Sequence, residues 1–142
     1  MAKKLIYATM IFVIFIGVMA GSNSCKQPDP PKAVVKVIDE RGEPVPDAMV
    51  IVKPPKVTDP GYVGTTSVVY LENETKAIAD TQWSSAEGKT FYNFKYKTIY
   101  RVEVTKDKDR QNPVVRRGVG ALVLEEGKTI EITVTVNEQT VF

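Results

Sequence analysis

From Ala33 onward, apolar and polar residues alternate with the period of two that half-buried strands require. The clearest stretch is 129–137, where Ile130, Ile132, Val134 and Val136 fall on one face and Thr129, Glu131, Thr133, Thr135 and Asn137 on the other. Tyr100, Val102 and Val104 alternate with Arg101, Glu103 and Thr105 in the same way, which predicts a strand with one packed face and one wet face. Val35 and Val37 alternate with Lys36 and Ile38 ahead of a turn at 39–42. Further strands are predicted over 47–53, 65–72, 90–94 and 119–125. Gly42, Pro54-Pro55, Asp59-Pro60-Gly61, Gly88 and Gly127 stand between them, where reversal of the chain needs a positive or a fixed φ.

No segment after residue 33 carries an apolar stripe at helical spacing. Short strands with turn signals between them predict an all-β fold, an antiparallel two-sheet Greek-key sandwich of about seven strands. Pro44, Pro46, Pro54 and Pro55 cannot donate to a ladder, so the strand between them is expected to be short and near a sheet edge.

Ahead of this pattern the chain reads differently. Lys3 and Lys4 precede an apolar run from Leu5 to Ala20, followed by the small residues Gly21, Ser22 and Ser24. This is the make-up of an export signal to be set apart from the fold. Its ~16 apolar residues fall just short of a bilayer span. The chain's single cysteine, Cys25, follows at once, and the arrangement resembles the lipobox of bacterial lipoproteins. Lys26 after the cysteine is similar to the looser lipoboxes of Bacteroidota. Ser24 fits that pattern, while Asn23 and Ser22 depart from its strict form. The resemblance implies a signal peptide over 1–24, lipidation of Cys25, and attachment to the membrane of the cell envelope, with the outer membrane expected and the leaflet open. The competing readings are a retained signal anchor, and cleavage after Ala20, which leaves a secreted protein with a free thiol. Residues 25–32, with Pro28, Pro30 and Pro31 and no apolar packing residue, are expected to form an extended tether, and the domain to occupy 33–142.

Charge and composition narrow the function. Lys3 and Lys4 are the only charged residues before Cys25, so what remains is formally neutral, with 17 basic and 17 acidic side chains. No basic block offers a phosphate backbone its footprint, which argues against nucleic acid. The absence of histidine removes the usual general base and the commonest zinc ligand. One cysteine can form neither an internal disulfide nor a thiolate cluster.

The run Val35-Lys36-Val37-Ile38-Asp39-Glu40-Arg41-Gly42-Glu43-Pro44-Val45-Pro46-Asp47-Ala48-Met49-Val50 resembles the opening hairpin of carboxypeptidase-regulatory-like domains. The stretch from Ser84 to Phe91 is similar to the second turn of that family, and 100–104 and 122–129 follow in order. Asp47 stands where glycine is common, and Ser85 where the second turn has aspartate; neither exchange violates an evident backbone requirement. The resemblance implies a transthyretin-like sandwich and encodes no catalytic residue.

Candidate chemistry is sparse. Asp107, Asp109 and Asn112 could offer oxygens to a cation, but Lys106, Lys108 and Arg110 interleave them and no closing glutamate follows, so a solvated loop is expected. Ser84 and Ser85 have no histidine to activate them and read as turn hydroxyls. No metal and no cofactor is expected, and no enzyme activity. The aromatic residues Trp83, Phe91, Tyr92, Phe94, Tyr96 and Tyr100 lie close together in sequence. If Phe91 faces the core, Tyr92 and Phe94 face away, and Trp83, Tyr92 and Tyr96 become the candidate ligand-binding rings; the alternative is that most of these rings fill the sandwich core. Two functions are then expected: a lipid-anchored module that binds an envelope protein or supports an assembly, or a glycan-binding accessory module that uses the exposed rings.

Overall fold

The computed structural model describes residues 28–59, 67–73, 75–110 and 114–138. Among them there is no helix. Nine strands follow in order: β1 (Lys32–Ile38), β2 (Met49–Lys53), β3 (Val69–Tyr70), β4 (Lys76–Ala77), β5 (Asp80–Trp83), β6 (Lys89–Asn93), β7 (Ile99–Lys106), β8 (Arg116–Val123) and β9 (Thr129–Thr135). Seven of them build two facing sheets, in the orders β6-β1-β9 and β5-β2-β7-β8, while β3 and β4 pair as a small ribbon. The architecture is the expected all-β sandwich. Its neighbours are antiparallel except β1 and β9, which run parallel with Val35 opposite Ile132 and Val37 opposite Val134. A parallel neighbour needs a long crossover, and here the whole intervening domain supplies it.

Alternation decides which side chains fill the space between the sheets. Val35 and Val37 of β1, Val50 and Val52 of β2, Val102 and Val104 of β7, Leu122 of β8 and Val134 of β9 are all buried in one cluster. Each such side chain contributes roughly 1.5–3 kcal/mol by leaving water. The second sheet approaches β9 closely at Gly118 and Gly120: a Cβ on Gly118 would lie 2.5 Å from the Thr135 carbonyl oxygen, and one on Gly120 2.9 Å from a Val134 methyl. The side chains of β9 occupy the room those glycines leave. Arg117 and Asn137 exchange two backbone hydrogen bonds of 2.8 and 2.9 Å, closing the sandwich on this side.

The turns behave as their residues dictate. Gly42, Gly88 and Gly127 all have positive φ. In the first turn Asp39 Oδ1 accepts hydrogen bonds from the Arg41 and Glu43 N–H groups at 2.8 and 2.9 Å. Ser85 plays a similar part in the second, its hydroxyl accepting from the Glu87 and Lys89 N–H groups at 3.3 Å each.

Five expectations change. Strand β2 is short, as its prolines imply, but it is interior, flanked by β5 and β7; the prolines lie outside Met49–Lys53 and leave every ladder N–H in place. The strand expected over 65–72 reduces, among the described residues, to Val69–Tyr70. Strand β7 has no wet face at its centre, because Arg101 and Glu103 are buried as well. Asp47 has a φ of 52°, so the position where glycine is common does require left-handed backbone; aspartate is among the few side chains that tolerate it. Finally, the tether gives up its last residues to the sandwich. The Asp29 carbonyl accepts a hydrogen bond from Gly127 N–H at 2.9 Å, the Pro31 carbonyl one from Phe94 N–H at 3.0 Å, and Lys32 opens β1.

Candidate functional site

Cys25 and the leader lie outside the described residues. The candidate rings do not assemble as the sequence suggested. Tyr92 is 2% exposed; it lies between the sheets, stacked on Phe94 with ring centroids 6.0 Å apart, and its hydroxyl donates to the Val50 carbonyl at 3.2 Å. Burial raises the ionisation of its phenol well above the ordinary tyrosine range. Tyr92 is therefore a core residue and is withdrawn as a ligand-binding ring. Phe91 points outward and is 63% exposed. The inversion was readable: Thr90, Tyr92 and Phe94 make a more apolar face than Lys89, Phe91 and Asn93, and the first set wins the interior.

Trp83 is exposed at 62% and Tyr96 at 50%. Trp83 stands opposite Met49 in the β5–β2 ladder, one position from the Gln82–Val50 pair. Val50 faces the core, so Trp83 projects from the outer face of the four-stranded sheet. Phe91, opposite Val34, projects from the outer face of the three-stranded sheet. Tyr96 lies at the opposite end of the molecule from Trp83, edge-on to Tyr70 with centroids 5.4 Å apart. Three exposed rings thus occupy two faces and one end, and they form no common platform.

The outer face of the four-stranded sheet carries a group of charges that sequence alternation had assigned to water. Glu103, 4% exposed, accepts from Arg101 Nε at 2.7 Å and from Lys53 Nζ, with Lys56 Nζ at 3.9 Å. Arg101 also pairs with Asp59. Residues 54–59, leaving β2, bring Lys56 and Asp59 over β7. Burial works to raise the Glu103 carboxyl, but hydrogen bonds from Lys53 and Arg101, and their charges, outweigh it and hold it below the ordinary carboxylate range. Beside this group Pro55, Ile99, Val119 and Ala121 line a mainly apolar cavity of about 250 Å³. Its polar corner is the Arg101–Asp59 pair, in which each charge already has its partner.

Ser84 is buried and committed to the fold. Its hydroxyl accepts from Ala48 N–H at 2.8 Å and donates to the Val45 carbonyl at 2.7 Å. In the loop after β7, Asp109 approaches Arg116 at 4.0 Å while Asp107 is exposed; Asn112 lies outside the described residues. Among the described residues no three Asp, Glu, Cys or His side chains gather as metal ligands would.

At the end of the sandwich where β1 begins, a second surface comes together from four segments. Lys97 pairs with Glu126 at 3.7 Å, Lys128 with Glu125, and Gly127 is bound to Asp29. Lys95 Nζ lies 5.5 Å from the Tyr96 ring centroid and Lys76 Nζ 5.8 Å from that of Tyr70. These are favourable cation–π contacts. The sequence showed Lys95-Tyr96-Lys97 as a local run; nothing in it showed that Tyr70, Lys76 and the β8–β9 turn join it.

No family model and no curated protein matches the chain. Among solved structures the chain is similar to an intradiol ring-cleavage dioxygenase from Tetranychus urticae, at 10% sequence identity and a TM-score of 0.40, over 70% of this chain and 53% of that one. The chain thus spans about half the length of that structure.

Proposed function

We propose that this chain is a lipid-anchored lipoprotein of the cell envelope whose single β-sandwich is a non-catalytic module that binds another protein or supports an assembly. The anchor reading rests on Cys25 behind its apolar leader. The binding reading rests on one observation: β5 and β6 each end their sheet, and each presents a large exposed ring, Trp83 and Phe91, on opposite outer faces. On β6 the Asn93 carbonyl already accepts from Glu72 N–H at 3.2 Å; short of that residue, a sheet edge accepts an extended segment of another protein, and rings on either side give it apolar contacts. A contiguous flat patch of rings would favour a glycan, and these rings are scattered, so the arrangement favours a protein partner. Two polar groups that could do chemistry are occupied, Ser84 by two backbone groups and Glu103 by three cations.

A photo-crosslinking residue placed at Phe91 or Trp83 in cells tests this reading. Both positions should give an adduct with one and the same protein, and the same probe at exposed Thr133 of β9 should not. Retention of the wild type on a polysaccharide gel, lost on Trp83→Ala, would replace the protein partner with a glycan.

A further inference from the structure

The end of the sandwich where the chain enters has features suited to lying on a lipid surface. Asp29 is held to Gly127 and Pro31 to Phe94, so only Lys26, Gln27 and Pro28 separate the docked chain from Cys25. Four peptide steps of ~3.6 Å reach at most ~14 Å. A lipid on Cys25 would bring this end to the headgroups. The opposite end stands clear: β7 rises ~20 Å from Ile99, near the entry end, to Thr105, which shares a ladder row with Met49 and Trp83.

The side chains at the entry end match that placement. Tyr96 is half exposed and packs on Tyr70, with Lys95 and Lys76 over the two rings and Lys97 next in the chain. Tyrosine places an apolar ring and a polar tip at the boundary between headgroups and acyl chains, and lysines lay their stems along apolar surface with the ammonium among phosphates. The acids of the same rim, Glu125 and Glu126, pair with Lys128 and Lys97, which reduces their repulsion from phosphate. Asp29 and Glu72 line a polar cleft with Lys32 and Lys128.

We infer that the surface formed by Tyr70, Lys76, Lys95, Tyr96 and Lys97 lies against the bilayer and fixes the orientation of the domain, with Trp83 directed away from the membrane. This rests on lipidation of Cys25. The mature protein as extracted from its native membrane, reconstituted into phosphatidylcholine vesicles with brominated acyl chains, separates the two claims. Trp83 is the chain's one tryptophan, so the parent reports the far end, and Tyr96→Trp in a Trp83→Phe background reports the near end. Lys97→Trp in that background is a second reporter in case the first disturbs packing against Tyr70. The protein should float with vesicles, the near-end reporters should lose emission on bromination, and Trp83 should keep its own. Floating protein whose near-end reporters are not quenched, or whose Trp83 is quenched equally, overturns the orientation and leaves the anchor standing. Protein that does not float removes the anchor, and the orientation with it.

Discussion

Ser84 and Ala48 hold each other by two hydrogen bonds: Ala48 N–H donates to Ser84 Oγ at 2.8 Å, and Ser84 N–H donates to the Ala48 carbonyl at 2.9 Å. The serine hydroxyl also donates to Val45, so one buried side chain ties the β1–β2 connection to the β5–β6 turn. Ser84→Ala would leave a buried N–H and a buried carbonyl unpartnered, each a penalty of ~1–3 kcal/mol. Urea unfolding should show a loss of at least ~2 kcal/mol. A midpoint equal to the parent's would mean that the hydroxyl is dispensable.

Asp47, just before Ala48, has left-handed backbone. A β-branched side chain there should be strained by ~1–2 kcal/mol, whereas glycine adopts the conformation freely. Asp47→Val should therefore lower the melting temperature and Asp47→Gly should not. Equal losses in both variants would assign the effect to the carboxylate instead of the backbone.

The register of β9 places Val134 in the core and Thr133 in water. Lysine at a buried position introduces an unpaired charge whose cost of several kcal/mol is comparable with a total stability of ~5–15. Val134→Lys should unfold the domain by circular dichroism and Thr133→Lys should leave its melting unchanged. Tolerance of both would contradict the strand's facing.

Much of this fold is legible in the residues, and the exceptions share a cause. Strands β1, β7 and β9 announce themselves because long alternation has only one regular solution. Strands β4 and β5 do not, since Lys76-Ala77 and Asp80-Thr81-Gln82-Trp83 are too short and polar to show a period. The buried Arg101 and Glu103 are invisible to alternation because their cover comes from residues 54–59, far away in sequence. The facing of β6 is open if Phe91 is read alone; its companions Lys89 and Asn93 turn it outward. For the candidate site, Trp83 and Tyr96 were found as exposed rings, but their separation depends on the order of the strands, which no local pattern encodes.

Glu103 gives the domain a pH dependence with a definite sign. Its folded-state ionisation lies below the ordinary value of 4.5, so the stability it contributes is fully present above that value and is lost as pH falls through the depressed folded value. Glu103→Gln should cost ~1.5–3 kcal/mol at neutral pH by weakening its charged hydrogen bonds, since Arg101 keeps Asp59 and Lys53 is partly exposed. It should also flatten the decline of melting temperature below pH 4.5. An unaltered acid limb in that variant would show that other carboxylates govern acid unfolding.

The central claim, a sandwich anchored in the envelope by a lipid, is tested most directly by the mass of the mature N-terminal peptide from protein extracted from its native membrane. A peptide beginning at Cys25 and carrying a diacylglyceryl thioether is expected, with Cys25→Ala protein no longer fractionating with membranes as the parent does. A peptide beginning at Gly21 with a free thiol, or one that retains the apolar leader, would contradict the account.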